Sequence, residues 1–156
     1  MRLYLVQHAE AKRKEEDPAR PLSEKGKKDI HKMAAYLKDH ANIQVGAIFH
    51  SGKTRAKQTA QVLAEALSPP RGIHEAEGLD PLAGVEAWAK RLACDEVGEE
   101  TMLVGHLPYL SRLASRLICG NEEQEVVSFR QGGVACLKRG EKGEWTVNWM
   151  LIPELI

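Results

Sequence analysis

Short apolar runs typical of β-strands alternate with helical patterns along this chain, and no other feature constrains its fold as strongly. The first run is Leu3–Val6, and a polar segment separates it from a helix that opens near Ser23 or Glu24. Apolar residues in that helix recur at i, i+3, i+4 and i+7, which predicts one buried face formed by Ile30, Met33, Ala34 and Leu37. The alternation predicts an α/β fold. With no linker or repeat visible, we expect one domain over residues 1–156.

The same alternation continues to the C-terminus. Strands are predicted at Val45–Phe49, at 72–76 and at Thr101–Val104. Helices are predicted after Ser51, which is a candidate N-cap, around Trp88, and after Pro108. The last third differs, because two β-rich runs flank a polar, glycine-bearing segment and so predict a β-hairpin, Val134–Leu137 with Trp145–Leu151.

The bulk composition excludes some partners and indicates a compartment. Acidic and basic residues balance at 22 each, so no global charge favours nucleic acid or an anionic membrane as a partner. No stretch approaches a membrane span. Cys94, Cys119 and Cys136 lack metal-type spacing and have apolar neighbours, so we expect buried free thiols. Free thiols favour a reducing compartment, and a cytoplasmic monomer without cofactor or metal is the expectation.

Three strand-to-helix junctions carry polar groups suited to a phosphate. The first strand runs into Gln7 and His8, the second leads to Arg55 in the first turn of a helix, and the Thr101–Val104 strand ends in His106. In open α/β sheets, ligands bind beyond the carboxyl ends of the strands. If these strands are parallel neighbours, His8, Arg55 and His106 converge at one edge of the sheet.

The chemistry of this trio matches phosphoryl transfer. Arg55 can offer a bidentate fork to the phosphoryl oxygens, and helix N-termini add oriented N–H groups. A neutral histidine can attack phosphorus and form a phosphohistidine that water then opens. Each residue alone also has an ordinary structural interpretation, so this prediction depends on the joint pattern.

Three ordered motifs in these segments resemble those of the histidine phosphatase superfamily: LYLVQHAEA, SGKTRAKQTA and LVGHLPYLSRL. The spacing, the short length, ARPLSEKG and the closing VNWMLIP are most similar to the small SixA-type phosphohistidine phosphatases. The resemblance implies a three-layer α/β/α sandwich with a mostly parallel central sheet and a C-terminal hairpin. It also implies that His8 is the phosphorylated nucleophile, that Arg55 and His106 bind the transferring phosphoryl group, that Arg20 adds positive charge, and that no metal is required.

Two features depart from the family pattern. Gln7 stands where the family normally has an arginine, so the phosphate-binding clamp loses one charge and can form only neutral hydrogen bonds there. Gly52 replaces the usual proline. The proton donor is also unassigned, because the chain is too short for the inserted glutamate segment of larger members; Glu10 and Asp80 are the candidates, and each also suits a turn or cap.

The sequence therefore predicts a metal-independent phosphatase that acts on phosphohistidine in a partner protein. Two alternatives remain open. Gln7 weakens the clamp, so the chain could instead be a phosphate- or phosphoprotein-binding module with little turnover. A phosphatase of small phosphate monoesters is the other alternative.

Overall fold

The computed structural model describes residues 1–156 and contains a six-stranded sheet in the order β3-β2-β4-β1-β5-β6. The first four strands in this order are parallel, and β5 and β6 form an antiparallel hairpin against β1. The strands are β1 (Arg2–Gln7), β2 (Ala47–His50), β3 (Ile73–Glu75), β4 (Glu100–Gly105), β5 (Val134–Arg139) and β6 (Trp145–Leu151). The helices are α1 (Glu24–Asp39), α2 (Thr54–Leu67), α3 (Glu86–Ala93) and α4 (Tyr109–Cys119), and a short 3-10 turn follows β6 at Pro153–Leu155.

Helices cover both faces of the sheet, and the alternation of side chains along β1 shows how. Leu3 and Leu5 belong to a core cluster that includes α3 and α4, whereas Tyr4 and Val6 belong to a second cluster that includes α1 and α2. Successive residues of a strand point to opposite faces, so one strand contributes to both cores. This arrangement confirms the predicted three-layer sandwich with a mostly parallel sheet and a C-terminal hairpin.

The start of α1 agrees with the sequence, whereas the start of α2 does not. Ser23 is the N-cap of α1, and its hydroxyl accepts a hydrogen bond from the Gly26 N–H at 3.0 Å. The prediction that Ser51 caps α2 is wrong, because α2 begins at Thr54 after Lys53 and has no side-chain cap. The Ser51 hydroxyl instead lies against the ring of His106.

The cysteine expectation holds only in part. All three thiols are free, but Cys136 alone is buried, and Cys94 and Cys119 are exposed. These two residues lie at the C-terminal ends of α3 and α4, where the chain leaves the core. No helix in the structure combines the length and the apolar composition that crossing a bilayer requires.

The segment after His8 is held against the first turn of α1 by a close backbone approach. The Ser23 N–H donates to the Glu10 carbonyl at 2.9 Å. A Cβ atom built on Gly26 would lie 2.0 Å from that same oxygen and 2.9 Å from its carbon. Because the obstacle is backbone rather than a movable side chain, Gly26 is required for the chain that follows the candidate nucleophile to pack on α1.

We expect Gly26→Ala to lower the free energy of unfolding by about 1–3 kcal/mol, the usual cost of overpacking a close contact. An exposed helical Gly→Ala change ordinarily has the opposite sign. Urea denaturation followed by circular dichroism gives the measurement. Gly84→Ala is the matched control, because a Cβ there meets no atom within 4 Å, and it should leave the midpoint unchanged or slightly raised. Equal midpoints for the two variants would contradict the packing argument.

Candidate active site

The parallel register of the central strands brings the three predicted site residues together. Gln7 pairs with Gly105, and His50 pairs with Val104, so β1, β4 and β2 end side by side. The His8 N–H continues this pairing by donating to the Gly105 carbonyl at 3.0 Å. As a result the ring centroids of His8 and His106 are 5.1 Å apart.

Arg55 completes the trio. It lies in the first turn of α2, and its Nε–H donates to Nε2 of His8 at 3.3 Å. The convergence expected from the sequence is therefore present, while the catalytic roles of the three residues remain predictions.

The ring of His8 is held in one tautomer. Its Nδ1 lies 2.7 Å from the carbonyl oxygen of Ala9, which can only accept, so Nδ1 carries the hydrogen. The lone pair is then on Nε2, which agrees with the hydrogen bond that Arg55 donates to that atom. His8 is only 7% exposed. The geometry thus presents Nε2 as a nucleophilic nitrogen beside a guanidinium group.

His106 has one partner and one unused nitrogen. The Ser51 Oγ lies 2.5 Å from Nε2, and the ring is 2% exposed. Its Nδ1 is buried without any hydrogen-bond partner. When the serine hydroxyl donates to Nε2, the hydrogen of the neutral ring is on Nδ1, which is then an unused donor. Ser51 was expected only as a helix cap, and nothing in the local sequence distinguishes that role from contact with a histidine 55 residues away.

Both imidazoles are neutral at pH 7. Burial lowers the pKa of His8 to about 4, with smaller contributions from the charges of Arg55 and Arg20. Burial also lowers the pKa of His106 to about 3, with further contributions from His8, Arg55, Lys53 and Arg20. The first cause is desolvation, which disfavours the charged form of the ring. A neutral His8 is the form that can attack phosphorus.

Arg20 and Lys53 add positive charge around the same point. The charge of Arg20 lowers the pKa values of His8, Arg55 and His106. The Arg20 Nε–H donates to the Lys12 carbonyl at 3.1 Å, which fixes the side chain on its loop. The phosphate-binding role of Arg20 stays a prediction, and Lys53 is a further cation that acts on His106.

Thr59 connects the segment after His8 to α2, and the sequence alone assigns it no role in the site. Its Oγ1 accepts a hydrogen bond from the Ala9 N–H at 3.0 Å and donates to the Arg55 carbonyl at 2.8 Å. The side chain is fully buried. Two sequence signals point to it: its place in the SGKTRAKQTA motif and its position one helical turn after Arg55. The contact fixes the position of His8 relative to Arg55.

Three predicted site residues lie outside the His8–Arg55–His106 cluster. Gln7 lines a neighbouring cavity of about 270 Å³, and its Oε1 is buried without a partner. Glu10 accepts a hydrogen bond from the Ser23 hydroxyl at 2.8 Å, so its carboxylate is held at the start of α1. Asp80 is exposed and lines a separate cleft of about 570 Å³ together with Lys53. The proton-donor roles of Glu10 and Asp80 remain predictions.

The complete arrangement has the properties of an anion-binding site. Cationic groups surround two neutral rings, and α2 begins beside them without a side-chain cap, so its first N–H groups have no side-chain partner. A phosphoryl group requires such donors for its non-bridging oxygens. No group of three His, Cys, Asp or Glu side chains is arranged to hold a metal ion.

Comparison with known families agrees with this geometry. The sequence profile described as the histidine phosphatase superfamily (branch 1) matches residues 3–82, which include His8 and Arg55. The chain belongs to the histidine phosphatase superfamily. Members of this superfamily are phosphatases. No curated protein sequence matches the chain.

Solved structures of the superfamily share the fold along nearly the whole chain. A SixA protein histidine phosphatase in complex with tungstate aligns with a TM-score of 0.86 and 23% identity, over 99% of both chains. The α-ribazole phosphatase from Shigella flexneri aligns with a TM-score of 0.79 and 18% identity, over 98% of this chain and 97% of that one. A mycobacterial glucosyl-3-phosphoglycerate phosphatase aligns with a TM-score of 0.73 and 15% identity, over 95% and 97%. At these identities the likeness concerns the fold.

The lowered pKa values predict a specific acid sensitivity. Between the folded pKa of about 4 and the ordinary value of 6.5, the unfolded chain binds a proton at His8 that the folded chain does not. The stability contributed by the neutral ring is therefore fully present above pH 6.5 and is lost as the pH falls toward the folded pKa. The slope is at most about 1.4 kcal/mol per pH unit for each ring. We expect His8→Gln to flatten this slope between pH 6.5 and 5 in urea titrations.

The matched control for the pH experiment is His31→Gln. His31 lies on the exposed side of α1, outside the His8–Arg55–His106 cluster. This variant should keep the slope of the unchanged protein. An identical slope in all three proteins would contradict the assignment of His8 as a buried neutral ring.

Proposed function

We propose that this chain is a metal-independent phosphatase that removes the phosphoryl group from phosphohistidine in a partner protein, through a phospho-His8 intermediate. The observation that carries the proposal is the state of His8. Its Nδ1–H donates to the Ala9 carbonyl, its pKa is lowered to about 4, and its unprotonated Nε2 accepts a hydrogen bond from the Arg55 guanidinium. That is a neutral imidazole with a defined nucleophilic atom at a cationic site.

The first half-reaction transfers the phosphoryl group to the enzyme. A bound phosphoryl group takes over the hydrogen bond that Arg55 donates to Nε2, which frees the lone pair of His8. Nε2 then forms a bond to phosphorus while the bond between phosphorus and the substrate nitrogen breaks. The electron pair of that bond returns to the leaving imidazole, which takes up a proton from solvent water. Arg55 neutralises oxygens whose charge persists through the transition state.

The second half-reaction restores the enzyme. Water attacks the phosphorus of phospho-His8, the bond from phosphorus to Nε2 breaks, and the electron pair returns to the ring. Inorganic phosphate leaves, and His8 is again neutral. The ring of His106, which the Ser51 hydroxyl holds in place, borders the phosphoryl group, because its centroid lies 5.1 Å from that of His8.

The surroundings of the trio support a phosphoramidate rather than an alkyl phosphate as substrate. The carboxylate of Glu10 is bound to the Ser23 hydroxyl, and Asp80 is exposed in the neighbouring cleft. An alkoxide is a poor leaving group and needs a positioned acid, whereas an imidazole nitrogen is protonated readily near neutral pH. A site without a carboxylic acid in contact with the trio therefore suits phosphohistidine. If an acid is used, Asp80 beside Lys53 is the candidate.

One observation favours a second function, that of a phosphoprotein-binding module. Gln7 is neutral, and its Oε1 is buried without a partner, so the site has one clamp residue that adds no charge. Neutral hydrogen bonds are about half as strong as charge-assisted ones. Binding that is equally strong in the ground state and the transition state would give affinity without turnover. A phosphatase of small phosphate monoesters is a further alternative.

The first experiment asks whether phosphate release depends on His8. A phosphohistidine-containing protein domain is mixed rapidly with the unchanged protein or with His8→Ala, and the reaction is stopped in alkali, which preserves phosphohistidine. We expect His8→Ala to slow release by about 10³-fold or more, because the nucleophile is removed. His31→Ala serves as the control and should match the unchanged protein. Release at the normal rate in His8→Ala would refute the covalent route.

A second experiment separates the three candidate functions. The phosphohistidine domain is compared with a phosphoserine peptide and with p-nitrophenyl phosphate at equal concentration. We expect kcat/KM to be highest for the phosphohistidine domain, by about tenfold or more, which corresponds to about 1.4 kcal/mol of transition-state discrimination. Binding of the domain without phosphate release would favour the module. Preference for p-nitrophenyl phosphate would favour the monoesterase.

A further inference from the structure

The cavity beside His8 contains a polar group that the proposed mechanism does not explain. Gln7 is 9% exposed, and its Oε1 has no hydrogen-bond donor. Gln7 lines a cavity of about 270 Å³ that borders the phosphoryl site, because Gln7 precedes His8 and another lining residue, Leu107, follows His106. A buried amide oxygen next to a nucleophile calls for a donor.

Arg130 is the cation in this cavity that has no ion-pair partner. The cavity is also lined by three carboxylates, those of Glu10, Asp29 and Glu154. Lys25, the other cation there, is already paired with Asp29 at 2.6 Å. The side chain of Arg130 is exposed and forms no salt bridge with any of the three, so its guanidinium donors are free.

The loop that carries Arg130 is attached directly to the nucleophile segment. The Gly132 N–H donates to the carbonyl of Gln7 at 3.0 Å and also approaches the carbonyl of His8 at 3.3 Å. A tight turn closes the loop, because the Gly133 N–H donates to the Arg130 carbonyl at 2.8 Å. Gly132 has a φ of +73°, which a residue with a side chain rarely adopts. The position of Arg130 relative to Gln7 is therefore fixed by backbone contacts.

We propose that Arg130 is a positioning residue for the phosphoryl site: when an anion binds, its unpaired guanidinium folds back over this cavity and donates to Oε1 of Gln7, which orients the amide N–H₂ of Gln7 toward a phosphoryl oxygen. The proposal rests on the proposed function and extends it to a residue outside the trio. The positive charge also offsets the three carboxylates, which otherwise oppose the approach of an anion. Gln7 then acts as a polarised donor rather than as a neutral amide with one end unsatisfied.

Binding of a phosphate mimic tests this proposal without requiring turnover. Tungstate affinity is measured by calorimetry for the unchanged protein, Arg130→Gln, Arg130→Lys and Lys25→Gln. We expect Arg130→Gln to weaken tungstate binding by about tenfold, the change expected when a hydrogen bond to a charged group is lost. Arg130→Lys keeps the charge and should recover part of the loss. Lys25→Gln removes a positive charge from the same cavity and so measures the effect of charge alone, which should be much smaller than the loss in Arg130→Gln.

A double-mutant cycle with Gln7→Arg distinguishes action through Gln7 from a general charge effect. An arginine at position 7 carries its own charge and no longer needs a donor, so Arg130→Gln should cost much less in the Gln7→Arg background than in the unchanged protein. The same loss in both backgrounds, or unchanged binding in Arg130→Gln, would overturn the proposal. His8→Ala is not part of this cycle, so failure of the phospho-His8 route would appear in the release assay and not here.

Discussion

The site depends on the parallel pairing of β4 between β1 and β2. That pairing sets Gln7 level with Gly105 and His50 level with Val104, so the chain leaves all three strands at one edge. The residues that follow are His8, Ser51 and His106, which are 43 to 98 positions apart in the sequence. Ser51 nevertheless contacts His106, and the ring centroids of His8 and His106 are 5.1 Å apart. A shift of one residue in either register would turn the side chains to the opposite face and separate them.

Burial is the main cause of the electrostatic properties at this edge of the sheet. Two imidazoles lie among guanidinium and ammonium groups, and burial is the largest cause of the lowered pKa of each ring. Both rings stay neutral. The positive charges of Arg55, Arg20 and Lys53 form no salt bridge with a carboxylate. Burial and repulsion from Arg20 also lower the pKa of Arg55. Excess positive charge around neutral donors is relieved by an anion, and a phosphoryl dianion would offset the repulsion while the nucleophile remains unprotonated.

The sequence predicts most of the fold because its local patterns agree with the final packing. The i, i+3, i+4 pattern identifies the buried face of α1, and the capping serine identifies its first residue. The failures occur where tertiary contacts override local preference. Ser51 has the right chemistry for a cap, but the ring of His106 engages its hydroxyl instead. Cys94 and Cys119 have apolar neighbours in sequence, but helix ends expose them. Thr59 joins the His8 segment to α2 through contacts 50 residues apart, which no local pattern contains.

Because local sequence patterns do not contain tertiary contacts, the sequence indicates the His8–Arg55–His106 trio but not the residues that surround it. Strand ends are visible in sequence, so the convergence of His8, Arg55 and His106 follows from topology. The surroundings of Gln7 do not follow from topology, because its cavity is lined by residues near position 130 and by Glu154 near the C-terminus. Whether a neutral residue beside the nucleophile weakens catalysis depends on what the rest of that cavity contains. Only interactions that strengthen in the transition state raise the turnover rate. A phosphate-binding site with less positive charge would bind both the substrate and the product phosphate less tightly. If Arg130 orients the amide as proposed, the effect of Gln7 on rate depends on that donor as well as on the missing charge.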